Sequence, residues 1–211
     1  MELTDEINKL KKSPIRETVD KRLLEFKSFK DKPTEEWFSE LCFCLLTANS
    51  RASSAIRIQN QIGAKGFIHS PQENIVQVIK MNKHRFHNNK AKFIVEARKF
   101  VNVKAIIQKI ISEKGEKEAR EFLVENVKGL GYKESSHFLR NVGYTNLAIL
   151  DRHILNLMIE NNYLKEKPKT LNKKNYYEIE EIFNKVADEF NMTNAELDLY
   201  MWYMKVGMVL K

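Results

Sequence analysis

An all-α fold of about ten helices is what this sequence predicts. Apolar residues recur at three- and four-residue intervals almost throughout the chain. Few stretches alternate with period two, and β-turn signals are scarce. Helix punctuation recurs too, as Ser-Pro-x-Glu and Thr-x-x-Glu starts and isolated glycine stops.

Residues 3 to 12 and 15 to 30 read as two charged amphipathic helices split by Pro14. Thr34, after the turn Asp31-Lys32-Pro33, is expected to cap a helix from Glu35 to about Ala48. Trp37, Phe38, Leu41, Cys42, Leu45 and Leu46 make that helix apolar around most of its circumference, so it belongs at the centre. Ser70-Pro71-Gln72-Glu73 reads as a capping box opening a helix that ends near Met81. A basic stretch follows, with Lys83, His84, Arg85, His87, Lys90, Lys92, Arg98 and Lys99 around Phe86. Ala91, Ile94 and Val95 keep helical spacing within it. Gly115 ends one helix, and residues 116 to 126 form the next. After a glycine turn, a helix runs from Lys133 to about Val142, stopped by Gly143. Asp151 is a natural N-cap for a helix to Glu160. A basic loop with Pro168 spans 161 to 174, then a helix runs from Asn175 to Phe190. Thr193 and Glu196 make a second capping box, for a last helix ending at Gly207.

At 211 residues the chain is long enough to bury a core without disulfides or metals. Its net charge of +8 suits a polyanion, either nucleic acid or an anionic membrane. Charge alone weighs that equally against a merely solubilising surface. Cys42 and Cys44 fall in an apolar run, and no CxxC pair or four-cysteine cluster exists for zinc or iron–sulfur. They read as reduced core thiols of a cytoplasmic protein with no metal and no cofactor. The first residues do not form a signal peptide, and no apolar run approaches bilayer length. Nucleic acid is therefore favoured over membrane.

The most informative segment is Val127-Lys128-Gly129-Leu130-Gly131-Tyr132-Lys133. A Gly-x-Gly turn between helices needs positive φ and admits backbone close to a neighbouring surface. It leaves the first N–H groups of the second helix pointing outward, where they accept a phosphate without reading sequence. Lys128, Lys133 and Arg140 add charge nearby. A plain αα-turn would use the same glycines for geometry alone. By spacing alone Lys133 is a phosphate-binding lysine and Asp151 a cap.

The whole string between two amphipathic helices resembles the helix-hairpin-helix motif. With Leu150-Asp151-Arg152-His153 it resembles the signature of the helix-hairpin-helix DNA glycosylase superfamily. That resemblance implies Lys133 as the nucleophile of enzymes that both excise a base and cut the strand, and Asp151 as the catalytic carboxylate. Phe43-Cys44-Leu45-Leu46-Thr47-Ala48-Asn49, Arg85-Phe86, Tyr132 through Gly143 and Asp198 through Tyr203 are similar to the compact prokaryotic type of 8-oxoguanine DNA glycosylase/lyase. The similarity covers nearly the whole chain, with a departure at Ser135, where alanine is usual.

This resemblance implies two helical lobes with the active site in the cleft between them. One lobe is placed at 35–145, the other at 1–34 plus 146–211. Trp202 is implied as a stacking wall for the extruded base and Lys211 as a contact to its edge. By spacing alone, Trp202 reads as core and Lys211 as disposable. His137, one turn after Lys133, is a further candidate for the base. Phe86 reads equally as wedge or core. Gly129, Gly131, Lys128 and Arg140 are the expected phosphate contacts, and whether the hairpin carbonyls hold a monovalent ion stays open.

The expected activity is excision of 8-oxoguanine from double-stranded DNA by a monomer. Attack by neutral Lys133 gives a Schiff base, and β-elimination follows. Two alternatives remain: a non-enzymatic DNA-binding adaptor, and a glycosylase/lyase for a different oxidised base.

Overall fold

The computed structural model describes residues 3–211. Twelve α-helices and no strands occur among the described residues: α1 (Leu3–Lys11), α2 (Ile15–Ser28), α3 (Thr34–Thr47), α4 (Ala52–His69), α5 (Gln72–Met81), α6 (His87–Ala97), α7 (Val103–Lys114), α8 (Glu116–Asn126), α9 (Tyr132–Asn141), α10 (Arg152–Glu160), α11 (Lys173–Glu189) and α12 (Asn194–Val206). The chain divides into two compact units. One is Phe29–Val142, with α3 to α9. The other joins the segment up to Ser28 to Gly143–Lys211.

Two of the expected caps sit elsewhere. Thr34 lies inside α3, and Pro33 holds the N-cap position; likewise Pro71, not Ser70, precedes α5. Each proline is extended, with φ fixed near −60° by its ring. Its carbonyl takes the first helical N–H groups: Glu36 and Trp37 donate to Pro33 O at 3.1 and 3.3 Å, Asn74 and Ile75 to Pro71 O at 3.1 and 3.3 Å. Ser70 instead closes α4, its N–H donating to Gly66 O at 2.9 Å. Thr193 does cap α12, accepting from the Glu196 N–H at 3.2 Å.

In the Phe29–Val142 unit, every residue of α3 from Trp37 to Thr47 is buried. The helix packs against α4, α6, α7 and α9, as its apolar circumference demands. A buried polar chain ties three of these helices. Gln59 Nε2 donates to Glu40 Oε1 at 2.9 Å, Asn141 Nδ2 to Glu40 Oε2 at 3.0 Å, and Arg140 Nη2 to Asn141 Oδ1 at 3.1 Å. α4 breaks at Gly63, whose φ of 66° lies outside the helical region.

In the other unit, α12 packs against α1, α2, α10 and α11. Leu147 to Leu150 form a buried non-helical run, and its backbone groups need partners. Two buried side chains of α11 supply them. Tyr176 donates its hydroxyl to Ala148 O at 2.7 Å and accepts from the Leu150 N–H at 3.3 Å. Glu180 Oε1 accepts from the Ala148 N–H at 3.0 Å. The run therefore delivers Asp151 to the start of α10 in a fixed position.

Ser135, the departure from the usual alanine, is 0% exposed, and its Oγ has no hydrogen-bond partner among the described residues. A desolvated, unpaired hydroxyl costs stability that alanine would restore. Ser135→Ala is expected to stabilise the protein by about 1 kcal/mol, seen as a higher urea midpoint at unchanged slope. An unchanged or lower midpoint contradicts this account of the site.

Candidate nucleic-acid and catalytic site

The hairpin is built from residues between α8 and α9. Val127 N–H closes α8 on Leu123 O at 2.9 Å, and Leu130 N–H turns back to Val127 O at 3.1 Å. Of the two glycines only Gly129, at φ 97°, occupies the left-handed region. Gly131 is extended at φ −101°, so the expectation of positive φ across the whole turn holds at one position only. The surface that Gly129 approaches lies within the protein: a Cβ there would stand 2.6 Å from Phe93 Cδ2 and 3.1 Å from Leu45 Cδ2. Gly131 leaves room for Glu134, whose Oε2 accepts its N–H at 3.3 Å. This is half a capping box, since glycine has no side chain to return the bond. Ser135 makes the first helical bond, to Gly131 O at 2.9 Å, so the amides of Lys133 and Glu134 precede the internal ladder.

Lys133 stands in that first turn with its side chain 25% exposed, and its Nζ lies 3.1 Å from Glu134 Oε1. To act as a nucleophile the amine has to leave this carboxylate and lose a proton. The hairpin is braced from α8: Arg120 Nη1 donates to Ser136 Oγ at 3.2 Å, and the Tyr132 hydroxyl donates to Glu121 Oε2 at 3.0 Å.

The other expected residues of this unit divide. Lys128 is exposed, 3.6 Å from Glu96 Oε2 and above the Phe93 ring. Arg140 is 4% exposed and joins the buried chain on Asn141. His137 is buried and meets Phe43 edge to face at 5.6 Å, so it packs on α3. Phe86 is 49% exposed, left-handed at φ 59° and beneath the Arg85 guanidinium at 5.1 Å, so the core reading fails.

Within the basic stretch, His84 and Lys90 are both buried. Lys90 Nζ donates to Leu46 O at 2.5 Å and to Ser50 Oγ at 2.7 Å. His84 Nε2 lies 2.8 Å from Leu46 O and 3.0 Å from Lys90 Nζ. A neutral imidazole with its proton on Nε2 lets both donors converge on the Leu46 carbonyl. Burial pushes His84 below the usual imidazole range. Burial first, and then the charge of Lys133, bring Lys90 down to about 8.

In the other unit Asp151 is the N-cap of α10. Its Oδ1 accepts from the N–H groups of His153 at 2.7 Å and Ile154 at 2.9 Å. One oxygen thus orients the carboxylate, and Oδ2 projects from a fixed frame. The His153 ring meets Trp202 edge to face at 5.2 Å, which brings Trp202 of α12 beside the turn that Asp151 opens. Trp202 is half-buried, its Nε1 without a hydrogen-bond partner among the described residues. Lys211 is partly buried at the chain end. Among the described residues no group of three or more His, Cys, Asp or Glu side chains could hold a metal ion, and no helix is long and apolar enough to cross a membrane.

A braced hairpin with a lysine in the turn that follows, and an aspartate locked as a cap after a buried run, are features of the helix-hairpin-helix DNA glycosylases. The narrower assignment comes from direct comparison. The model of the 8-oxoguanine DNA glycosylase family matches residues 19–192, and the chain belongs to that family. A relative from Methanocaldococcus jannaschii named 8-oxoguanine DNA glycosylase/AP lyase is 54% identical, covering 100% of both chains. One of the same name from Korarchaeum cryptofilum is 43% identical over 100% of this chain and 98% of its own. The crystal structure of the Methanocaldococcus jannaschii enzyme in complex with a 15mer DNA containing 8-oxoguanine superposes with a TM-score of 0.95, at 53% identity and 99% coverage of each chain.

Sequence reasoning missed Glu134 as the hairpin's internal cap, His153 as the partner of Trp202, and the buried Lys90–His84 pair. For Lys90 a signal existed: it shares the helical face of Ala91, Ile94 and Ala97.

The fit of Gly129 against Phe93 gives a test. Gly129→Ala is expected to destabilise the protein by about 2 kcal/mol or more, through both the left-handed φ and the 2.6 Å contact. Gly131→Ala, with extended backbone, is expected to lose less. Equal losses in chemical unfolding, or a neutral Gly129→Ala, contradict the assignment.

Proposed function

We propose that this chain is a bifunctional glycosylase/AP lyase that removes 8-oxoguanine from duplex DNA. The observation that carries this reading is full-length likeness to relatives of that name, with Lys133 and Asp151 at the motif positions. Outward amides at the start of α9 and the charge of Lys128 hold a phosphate. The damaged nucleotide turns out of the stack, and exposed Phe86 fills or flanks the gap. Trp202 packs on the base and Lys211 contacts its edge.

Lys133, as the free amine, attacks C1′ of the deoxyribose. The N-glycosidic bond breaks, and the base leaves with the bonding electrons and takes up a proton. Asp151 stabilises the positive charge that develops on the sugar and assists proton transfer. Ring opening gives an imine between Lys133 and C1′. Loss of a C2′ proton then expels the 3′ phosphate and cuts the strand, and hydrolysis frees the lysine. The residues named need no metal or cofactor for these steps. The enzyme works as a monomer in the cytoplasm.

Two variants separate chemistry from structure. Lys133→Gln is expected to bind lesion duplex within a few-fold of the parent but to form no borohydride-trapped complex. Asp151→Asn is expected to release base about 100-fold more slowly or worse, yet to unfold within about 0.5 kcal/mol of the parent, because asparagine caps as well as aspartate. Parental release and nicking by either variant overturns the reading. Trapping on thymine glycol but not on 8-oxoguanine retains the chemistry and changes the substrate.

A further inference from the structure

We propose that Lys90 is a positioning residue: its buried ammonium, together with His84, clamps the 47–51 loop and the 82–86 turn into one rigid element that presents Phe86 to DNA. This rests on the reading of the chain as a base-extruding glycosylase/lyase.

Three features of the Phe29–Val142 unit converge on it. Leu46 lies in the last turn of α3, where carbonyls lack helical partners and the helix dipole is negative. Lys90, only 4% exposed, caps that end from α6, and the same ammonium reaches Ser50 Oγ in the following loop. A buried cation so placed holds its acceptors firmly, since losing them would leave a charge unpaired in the interior.

Second, His84 is the buried member of the turn between α5 and α6. Its N–H donates to Ile79 O at 3.2 Å, and its ring shares the Leu46 carbonyl with Lys90. The flanking Arg85 and Phe86 are exposed. The imidazole is thus the root of the turn, and the arginine and phenylalanine are its crown.

Third, three of the five non-glycine residues with positive φ among the described residues lie around this node. Asn49 (φ 52°), Lys83 (φ 51°) and Phe86 (φ 59°) are left-handed without being glycine, and all belong to the two segments that Lys90 and His84 hold. Such conformations persist only where the surroundings over-determine them, and an aromatic side chain pays the steric penalty in full. Phe86 is 49% exposed in that conformation, so only part of its ring is buried in return. The clamp supplies the constraint.

The test uses the full chain and lesion duplexes in single turnover at saturating enzyme. Two steps are timed separately: release of 8-oxoguanine, and strand cleavage at a preformed abasic site, which has no base to turn out. Lys90→Met keeps the length and apolar stem of lysine. It is expected to slow base release by about tenfold or more and abasic cleavage by less than about threefold. Phe86→Ala is expected to show the same selectivity, and the double variant to be no slower than the slower single within about twofold, as for residues acting as one unit. Equal slowing of both steps by Lys90→Met, or multiplying losses in the double variant, overturns the proposal. Ser50→Ala leaves the ammonium in place and removes one acceptor. If Lys90→Met fails to fold, Ser50→Ala must slow base release selectively, and its failure to do so overturns the proposal as well. Absence of 8-oxoguanine release by the parent refutes the proposed function itself. Release by the parent with Lys90→Met unaffected refutes only the clamp.

Discussion

The hairpin of this protein exists because residue 129 has no side chain. A left-handed turn there lets the chain reverse between α8 and α9 while lying against Phe93 and Leu45. Any Cβ would push the turn away from α6 and α3. From that contact the rest of the local architecture follows. α9 starts three residues later, the amides of Lys133 and Glu134 precede its internal hydrogen-bond ladder, and Lys133 sits in its first turn. Glu134 satisfies the Gly131 N–H and pairs with the lysine, so one carboxylate both caps the helix and holds the amine. Arg120 and Tyr132 stiffen the junction from either side.

In the other unit the problem is different. In the proposed reaction Asp151 stabilises charge, and such a carboxylate must be oriented before the charge appears. Here orientation comes from two levels of hydrogen bonding. Tyr176 and Glu180 pin the buried run before Asp151, and the capped amides of His153 and Ile154 fix one of its oxygens. The aspartate thus has a cap's structural role without being consumed by it, because the cap uses Oδ1 alone. The same first turn of α10 seats Trp202 through His153.

What could be read without coordinates was local and periodic. The helical class, the burial of α3, the glycine stops at 143 and 207, and the Asp151 and Thr193 caps all follow from side-chain chemistry acting within a few residues. At both proline starts the N-cap falls one position from the expected Thr or Ser, because the ring fixes proline's φ and the extended residue's carbonyl accepts the first helical N–H groups. Arg140 and Lys90 are buried for a shared reason. Cations are placed outside by default, and only three-dimensional neighbours, Asn141 in one case and the end of α3 in the other, make burial tolerable. Lys133 and Asp151 are legible in the sequence as motif positions, whereas the contacts of Glu134, His153 and the Lys90–His84 pair require the packed structure.

The proposed reaction depends on a covalent bond between Lys133 and the deoxyribose, and the most direct measurement locates it. The protein is incubated with duplex DNA bearing one 8-oxoguanine, reduced with borohydride, digested, and the modified peptide sequenced by mass spectrometry. The deoxyribose remnant is expected on Lys133, in the peptide that follows the hairpin. A remnant on another amine, or base release and nicking at full yield with no adduct at all, contradicts the account.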